Sequence, residues 1–166
     1  GGVDAVLTEV PAPSWYGPRF TMGVKTIDTD EDFEFAEISI GRRLRWPDAL
    51  SFLEFAEPEF VIGVGRMEGS RNKDAYLLTF GPAVVMHPLG DWLSLDMGSR
   101  PTLISEDDLG AHPVGGPIQF ISHIAAHLHL NSHIEVGAKL QHMSSAGFSK
   151  PNPGVDTIAI EVIFRH

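Results

Sequence analysis

The feature that most constrains the fold is a period-two alternation of apolar and polar residues along most of the chain. Such alternation is typical of β-strands, because successive side chains point to opposite faces of a sheet. Helical periodicity comes nearest over 49–57, and Pro58 would end a helix there. The pattern therefore predicts an all-β fold with eight strands, at about 18–28, 33–46, 53–66, 75–86, 92–104, 118–130, 133–145 and 156–165.

Composition indicates a single domain. The 12 prolines and 17 glycines are spread along the 166 residues and are not gathered in a linker. We predict one domain over 1–166, in which 1–17 is an N-terminal segment of uncertain structure. The chain has no cysteine, which excludes disulfides and thiolate metal sites, and its net charge of −10 argues against nucleic acid as a partner. No signal peptide is recognisable, and we expect one to have been removed.

The strands fit a barrel in a membrane as well as one in water. Their apolar runs are too short for transmembrane helices, but barrel strands alternate and average to a mean hydropathy near zero, as here. Alternation alone does not say whether the apolar face points inward, as in a soluble lipocalin-like ligand-binding barrel, or outward to lipid. With both termini in the periplasm, the external connections are mostly the longer ones, which is typical of outer-membrane barrels. We therefore predict an eight-stranded antiparallel transmembrane β-barrel in the bacterial outer membrane, with the soluble barrel as the alternative.

The polar faces of the strands carry histidines and both signs of charge. The histidines near the turn at 131–132 are His123, His127, His129 and His133. Imidazoles at such spacing suit a transition metal, but strand alternation in a polar lumen explains them too, and we predict no metal. Charged residues expected to pair across the lumen are Asp96, Arg100, Glu135, Lys139 and Glu161. Aromatic residues near strand ends that suit interfacial belts are Trp15, Tyr16, Trp46, Tyr76 and Trp92.

Three polar residues stand at the end of an apolar face. His142 and Ser144 are two apart on a predicted strand and so share a face, with Cα atoms about 6.5–7 Å apart. They have the parity of Leu140, while Asp156 opens the next strand with the parity of Ile158. A serine nucleophile needs a base, and an imidazole oriented by a carboxylate can serve. The same residues also fit a plain strand-to-loop transition, and both interpretations stay open on spacing alone.

The string H-x-S-x-A-G-x-x-x-P-N-x-G-x-D over 142–156 resembles the signature of the lipid A 3-O-deacylase (PagL) family. The likeness continues more loosely through 80–85 and 118–140, and over 1–75 it is limited to strand rhythm. The resemblance implies an eight-stranded outer-membrane barrel with a Ser-His-acid triad facing the lipid. By position, Ser144 would be the nucleophile, His142 the general base and Asp156 the orienting acid.

The same resemblance implies further residues and a reaction. Asn152, Ser145 and Gly147 would serve in the oxyanion region or in positioning. Ser145 stands where the family usually has Asn, and Asp156 stands where the acid is often Glu. The implied activity is that of a carboxylic ester hydrolase, without a cofactor, that removes the 3-hydroxyacyl chain from position 3 of lipid A. The implied partner is lipopolysaccharide in the outer leaflet, and a homodimer stays open. The alternative is a non-enzymatic eight-stranded outer-membrane barrel whose triad is vestigial.

Overall fold

A computed structural model describes residues 14–25, 34–68, 74–105, 118–144 and 155–165. The strands are β1 (Trp15–Lys25), β2 (Glu34–Arg43), β3 (Ala56–Glu68), β4 (Asp74–Met86), β5 (Leu93–Ile104), β6 (Ile118–His129), β7 (Ile134–Ser144) and β8 (Val155–Phe164). A short 3-10 segment, Asp48–Leu53, lies between β2 and β3. No helix among these residues is long and apolar enough to cross a membrane.

The eight strands form a closed antiparallel barrel. Each strand pairs with its neighbours along the chain, and β8 pairs with β1 to close the sheet. The predicted fold is therefore confirmed. We call the end that carries the connections 26–33, 69–73, 106–117 and 145–154 the loop end. The opposite end, with the connections 44–55, 87–92 and 130–133, is the turn end.

The outward face of the barrel is apolar. On β8, Ile158 and Ile160 are 47% and 68% exposed, and their neighbours Thr157 and Ala159 are buried. The other strands repeat this arrangement, with outward residues that include Phe20, Met22, Ile38, Ile40, Ile62, Val64, Leu78, Phe80, Ile124, Leu128 and Leu140. Water would not tolerate such a continuous apolar surface, whereas lipid stabilises it. The soluble lipocalin-like alternative is therefore wrong.

Charged pairs fill the middle of the lumen. Arg19 lies 2.9 Å from Asp96, Arg100 lies 2.9 Å from Glu37, and Lys139 lies 3.0 Å from Glu161, with all six side chains buried. The pairing predicted for Lys139 and Glu161 is confirmed. The predicted charges Asp96 and Arg100 also pair across the lumen, each with a partner that the alternation did not single out. Buried charges need such partners, because the lumen offers little water.

The lumen histidines contact carboxylates. Nε2 of His123 is 2.7 Å from Asp96, and Nε2 of His127 is 2.8 Å from Glu161. His129 lies at ion-pair distance, 2.9 Å, from Glu135. Within the described ranges, no three His, Cys, Asp or Glu side chains come together in a way that could hold a metal ion. The contacts with Asp96 and Glu161 place His123 and His127 in the hydrogen-bonded lining that the alternation predicts. His129 is only partly buried, and the prediction is wrong for His133, which is exposed in the turn after β6.

Tyr16 corrects the prediction of an interfacial belt. Its side chain is 4% exposed, and its hydroxyl donates a hydrogen bond to Glu59 inside the barrel at 2.6 Å. The reason is a break in the β1–β2 register between Tyr16 and Arg19, which switches the parity of the strand. Strand β1 also begins earlier than predicted, at Trp15, which is exposed. Trp92 and Tyr76 are exposed near strand ends, as a belt requires.

Apolar side chains replace the charges in the lumen towards the loop end. They form one buried cluster: Phe35, Met67, Ala75, Leu77, Ile104, Ile121 and Met143. Met143 brings the end of β7 into this cluster. Close packing around Met143 fixes the orientation of the end of β7. Because neighbouring residues on a strand point to opposite faces, the residues on either side of Met143 face outward.

Candidate active site

His142 and Asp156 form a pair across two neighbouring strands at the loop end. They are direct register partners on β7 and β8. Nδ1 of His142 lies 2.5 Å from Oδ1 of Asp156, and the two side chains are 53% and 59% exposed. The structure thus brings together the two residues that the sequence separates by a long connection.

The alternation of the two strands explains why this pair faces outward. Met143, next to His142, is 4% exposed and lies in the loop-end cluster. Thr157, next to Asp156, is also 4% exposed and faces the lumen. Because neighbouring residues on a strand point to opposite faces, the inward orientation of Met143 and Thr157 places His142 and Asp156 on the lipid side. This placement agrees with the parity of the sequence.

Ser144 ends β7 on the same outward side. It follows His142 by two residues, which puts the Cα atoms about 6.5–7 Å apart on a strand. Its side chain is half-buried, and its register partner on β6 is Phe120. The other residues predicted for the site, Asn152, Ser145 and Gly147, lie outside the described residues, so their roles stay predictions.

Two serines that the sequence analysis missed continue the site across the barrel wall. Ser122 on β6 is the register partner of His142, and Ser99 on β5 is the partner of Ser122. Both are exposed, and their Oγ atoms are 3.3 Å apart. We call Ser99, Ser122, His142 and Asp156 the polar row. The sequence did contain a signal for Ser122, because this serine has the parity of Ile124 and so interrupts an apolar face of the strand.

The polar row borders an apolar row. The next outward residues towards the turn end are also consecutive register partners: Met97, Ile124, Leu140 and Ile158. They are 38%, 51%, 53% and 47% exposed. The polar row thus begins one step from residues that face hydrocarbon. On β5 and β6 the outward face is apolar again beyond this row, where Leu103 and Ile118 are 49% and 53% exposed.

Two outward grooves flank the polar row. The larger, of about 440 Å³, lies on the Asp156 side over β8, β1, β2 and β3, and its lining includes Met22, Ala36, Ile158 and Ile160. The smaller, of about 390 Å³, lies on the Ser99 side over β4 and β5, and its lining includes Pro82, Val84, Met97 and Gly98. Both grooves are mostly apolar and open to the surrounding lipid.

Fold and site together define an outer-membrane β-barrel with a histidine–carboxylate pair on its lipid-facing surface. The sequence profile of the family described as lipid A 3-O-deacylase (PagL) matches residues 25–165. The chain therefore belongs to the lipid A 3-O-deacylase (PagL) family. Membership confirms the resemblance and, together with the apolar outward face of the barrel, the predicted outer-membrane location.

The individual relatives agree with this membership. The lipid A deacylase PagL of Bordetella bronchiseptica (strain ATCC BAA-588 / NCTC 13252 / RB50) is 26% identical over 76 residues, which are 46% of this chain and 43% of that protein. The matched part is thus less than half of that relative. The crystal structure of the outer membrane enzyme PagL superposes with a TM-score of 0.69 and 17% identity, over 89% of this chain and 99% of that one. The crystal structure of Neisserial surface protein A (NspA) gives 0.55 and 11%, over 94% and 100%. At these identities, the two structures support the fold alone.

Proposed function

We propose that this chain hydrolyses the ester that links a 3-hydroxyacyl chain to position 3 of lipid A, with Ser144, His142 and Asp156 as its catalytic triad. The observation that carries the proposal is the contact between Nδ1 of His142 and Oδ1 of Asp156, on a lipid-facing surface, with Ser144 two residues along the same face. Family membership supports the substrate class.

The chemistry follows from the order of these groups. Asp156 accepts a hydrogen bond from the N–H of Nδ1, which leaves Nε2 of His142 unprotonated as the base. Nε2 takes the proton of Ser144 as its Oγ attacks the ester carbonyl. The tetrahedral intermediate collapses, the C–O bond to the sugar breaks, and His142 returns the proton to the sugar oxygen. Water then attacks the acyl-enzyme with His142 again as base, which releases the 3-hydroxy fatty acid and restores Ser144.

The position of the site suits a substrate that stays in the membrane. The polar row lies one step from Met97, Ile124, Leu140 and Ile158, which face hydrocarbon, so an ester bond of a membrane lipid can reach it. Acyl chains can remain beside Leu140 and Ile158, or in the adjacent groove that includes Met22 and Ile160. The sugar then lies towards the loop end, so the lipid need not leave the bilayer to react.

Stabilisation of the oxyanion is assigned to the connection between β7 and β8. Asn152, backbone N–H groups near Gly147, and Ser145 are the proposed donors, on the strength of the family signature. Loss of one such donor costs about 10²–10³ in kcat in well-studied hydrolases. Ser145 in place of the family's usual asparagine therefore predicts a stronger dependence on Asn152.

The test is mass spectrometry of lipid A treated with the full-length protein in detergent. We expect the loss of one 3-hydroxyacyl chain, and the loss should disappear with Ser144→Ala and with His142→Ala. Heat-modifiable migration on gels shows whether each variant is folded. Folded variants that keep full activity would refute the triad, and a folded wild-type protein that leaves lipid A intact would favour the non-enzymatic barrel. The homodimer stays a prediction.

A further inference from the structure

We infer that Ser122 is a specificity-determining residue that binds the 3-hydroxyl group of the acyl chain being cleaved, with Ser99 holding it in place. The inference rests on the proposed function, since it names a contact to the same substrate. It concerns the side of His142 that faces away from Asp156. Its evidence is the polar row.

The register places Ser122 beside the reacting groups. Ser122 and His142 are direct partners on β6 and β7. The Cβ atoms of such partners lie about 4.5–5.5 Å apart. Asp156 contacts His142 from the opposite side, at Nδ1. The strand that bears the base is therefore flanked by its carboxylate on β8 and by a hydroxyl on β6.

Two hydroxyls on a lipid-facing surface call for an explanation. A hydroxyl moved into an apolar environment without a partner costs about 1–3 kcal/mol by mutational measures. The contact between Ser99 and Ser122, with Oγ atoms 3.3 Å apart, offsets part of this cost. Each hydroxyl has one donor and two acceptor positions, so this contact uses only part of their capacity. The pair can accept and donate one further hydrogen bond to a hydroxyl of a lipid.

The dimensions of a 3-hydroxyacyl ester suit this arrangement. Ser144 is a diagonal neighbour of Ser122 across the β6–β7 pair, and such neighbours lie about 7–8 Å apart. The hydroxyl is on the second carbon beyond the ester carbonyl. A carbonyl carbon at Ser144 and a hydroxyl at Ser122 therefore span the two serines, with ordinary contact distances at both ends.

The rest of the acyl chain has a path beyond Ser99. The groove of about 390 Å³ that includes Pro82, Met97 and Gly98 begins beside Ser99 and is mostly apolar. A chain bound with its hydroxyl at Ser122 continues along this groove into hydrocarbon. Ser144, Ser122 and the groove beside Ser99 thus contact the ester, the hydroxyl group and the tail, in the order in which the substrate carries them.

The experiment compares two synthetic glucosamine 3-O-monoesters of equal chain length in mixed micelles, one with a 3-hydroxyacyl chain and one with the unsubstituted chain. For the wild-type protein, we expect kcat/KM to favour the hydroxylated ester by about five- to tenfold, the value of one ordinary hydrogen bond. Ser122→Ala should bring this ratio to within about twofold of one. Ser122→Thr keeps a hydroxyl and should restore much of the preference. Ser132→Ala, an exposed serine in the turn after β6, is the matched control and should leave the ratio unchanged.

The outcomes separate this inference from the proposed function. If the wild-type protein shows no preference, or Ser122→Ala keeps it, the specificity role is refuted while the triad stands. If His142→Ala and Ser144→Ala hydrolyse both esters normally, the proposed function fails and the inference fails with it. If Ser122→Ala loses both activities and Ser144→Ala keeps them, Ser122 is the nucleophile, which overturns both assignments.

Discussion

The imidazole of His142 and the carboxylate of Asp156 face each other across the β7–β8 pair, with Nδ1 2.5 Å from Oδ1, on the outside of a barrel. A serine hydrolase usually keeps such a pair within a cleft of the protein. Here the strands turn the pair toward lipid, because Met143 and Thr157 beside it point into the lumen. The membrane itself then supplies the low-dielectric surroundings of the site.

Replacement of Asp156 tests the orienting role of the carboxylate. Asp156→Asn keeps the shape of the side chain but loses the acceptor that fixes the tautomer and stabilises the imidazolium. We expect kcat on lipid A to fall by about 10²–10⁴ with little change in KM. Asp156→Glu should retain much of the activity, since a carboxylate remains to accept the hydrogen bond from Nδ1. An Asn variant with the wild-type kcat would contradict the role.

The pair of Lys139 and Glu161 tests the charged lumen. Both side chains are fully buried and lie 3.0 Å apart. Lys139→Met leaves the carboxylate without its main partner, so the free energy of unfolding in detergent should fall by roughly 3–5 kcal/mol. The double variant Lys139→Met with Glu161→Gln should recover a large part of this loss. Urea unfolding followed by tryptophan fluorescence measures both, and additive losses would refute the coupling.

Gly137 tests a close approach between β6 and β7. A Cβ atom at this position would clash with the backbone oxygen of Ala126 and lie 2.5 Å from Cδ2 of His127. Gly137→Ala should therefore destabilise the barrel by about 1–3 kcal/mol, as overpacking does. Ala138→Val, at the exposed neighbouring position, is the control and should change stability little. Equal unfolding midpoints for Gly137→Ala and the wild type would contradict the packing.

Ile160 tests the orientation of the barrel wall. It lies within β8, and its side chain is 68% exposed. In a membrane, Ile160→Arg should lower the free energy of unfolding by about 2–4 kcal/mol, the cost of this charge near the bilayer midplane. Phe52→Arg, at a 72% exposed position in the 3-10 segment, should cost about 0–1 kcal/mol. Equal costs in lipid vesicles would show that Ile160 does not face hydrocarbon.

Much of the fold could be predicted because a side chain on a barrel strand faces either the lumen or the outside, and its neighbour faces the other way. Once the apolar residues of 134–140 and 158–160 face lipid, His142, Ser144 and Asp156 must lie on the same surface. Tyr16 shows the limit of this reasoning. A single register shift before Arg19 reverses the parity of the strand start. Gly17 and Pro18 interrupt the pattern there, but alternation alone does not give the size of such a shift.

The partners of individual residues were harder to predict. Alternation placed Asp96 and Arg100 in the lumen, but their contacts with Arg19 and Glu37 depend on the closure of the barrel, which brings distant strands together. The polar row has the same origin, because only the register aligns Ser99 and Ser122 with His142. The buried cluster around Ile121 and Met143 was not predicted either. Each contributing strand supplies only one or two apolar residues to it, and these stand on otherwise polar faces until the closed barrel brings them into contact.

The most direct test of the central claim is to find which residue reacts with a fluorophosphonate, a reagent for activated serines. The folded protein is labelled in micelles, digested, and the adduct is located by fragmentation mass spectrometry. We predict an adduct on Ser144 that is lost in His142→Ala and competed by lipid A. An adduct on Ser122 or another residue instead of Ser144, in protein that hydrolyses lipid A, would contradict the account.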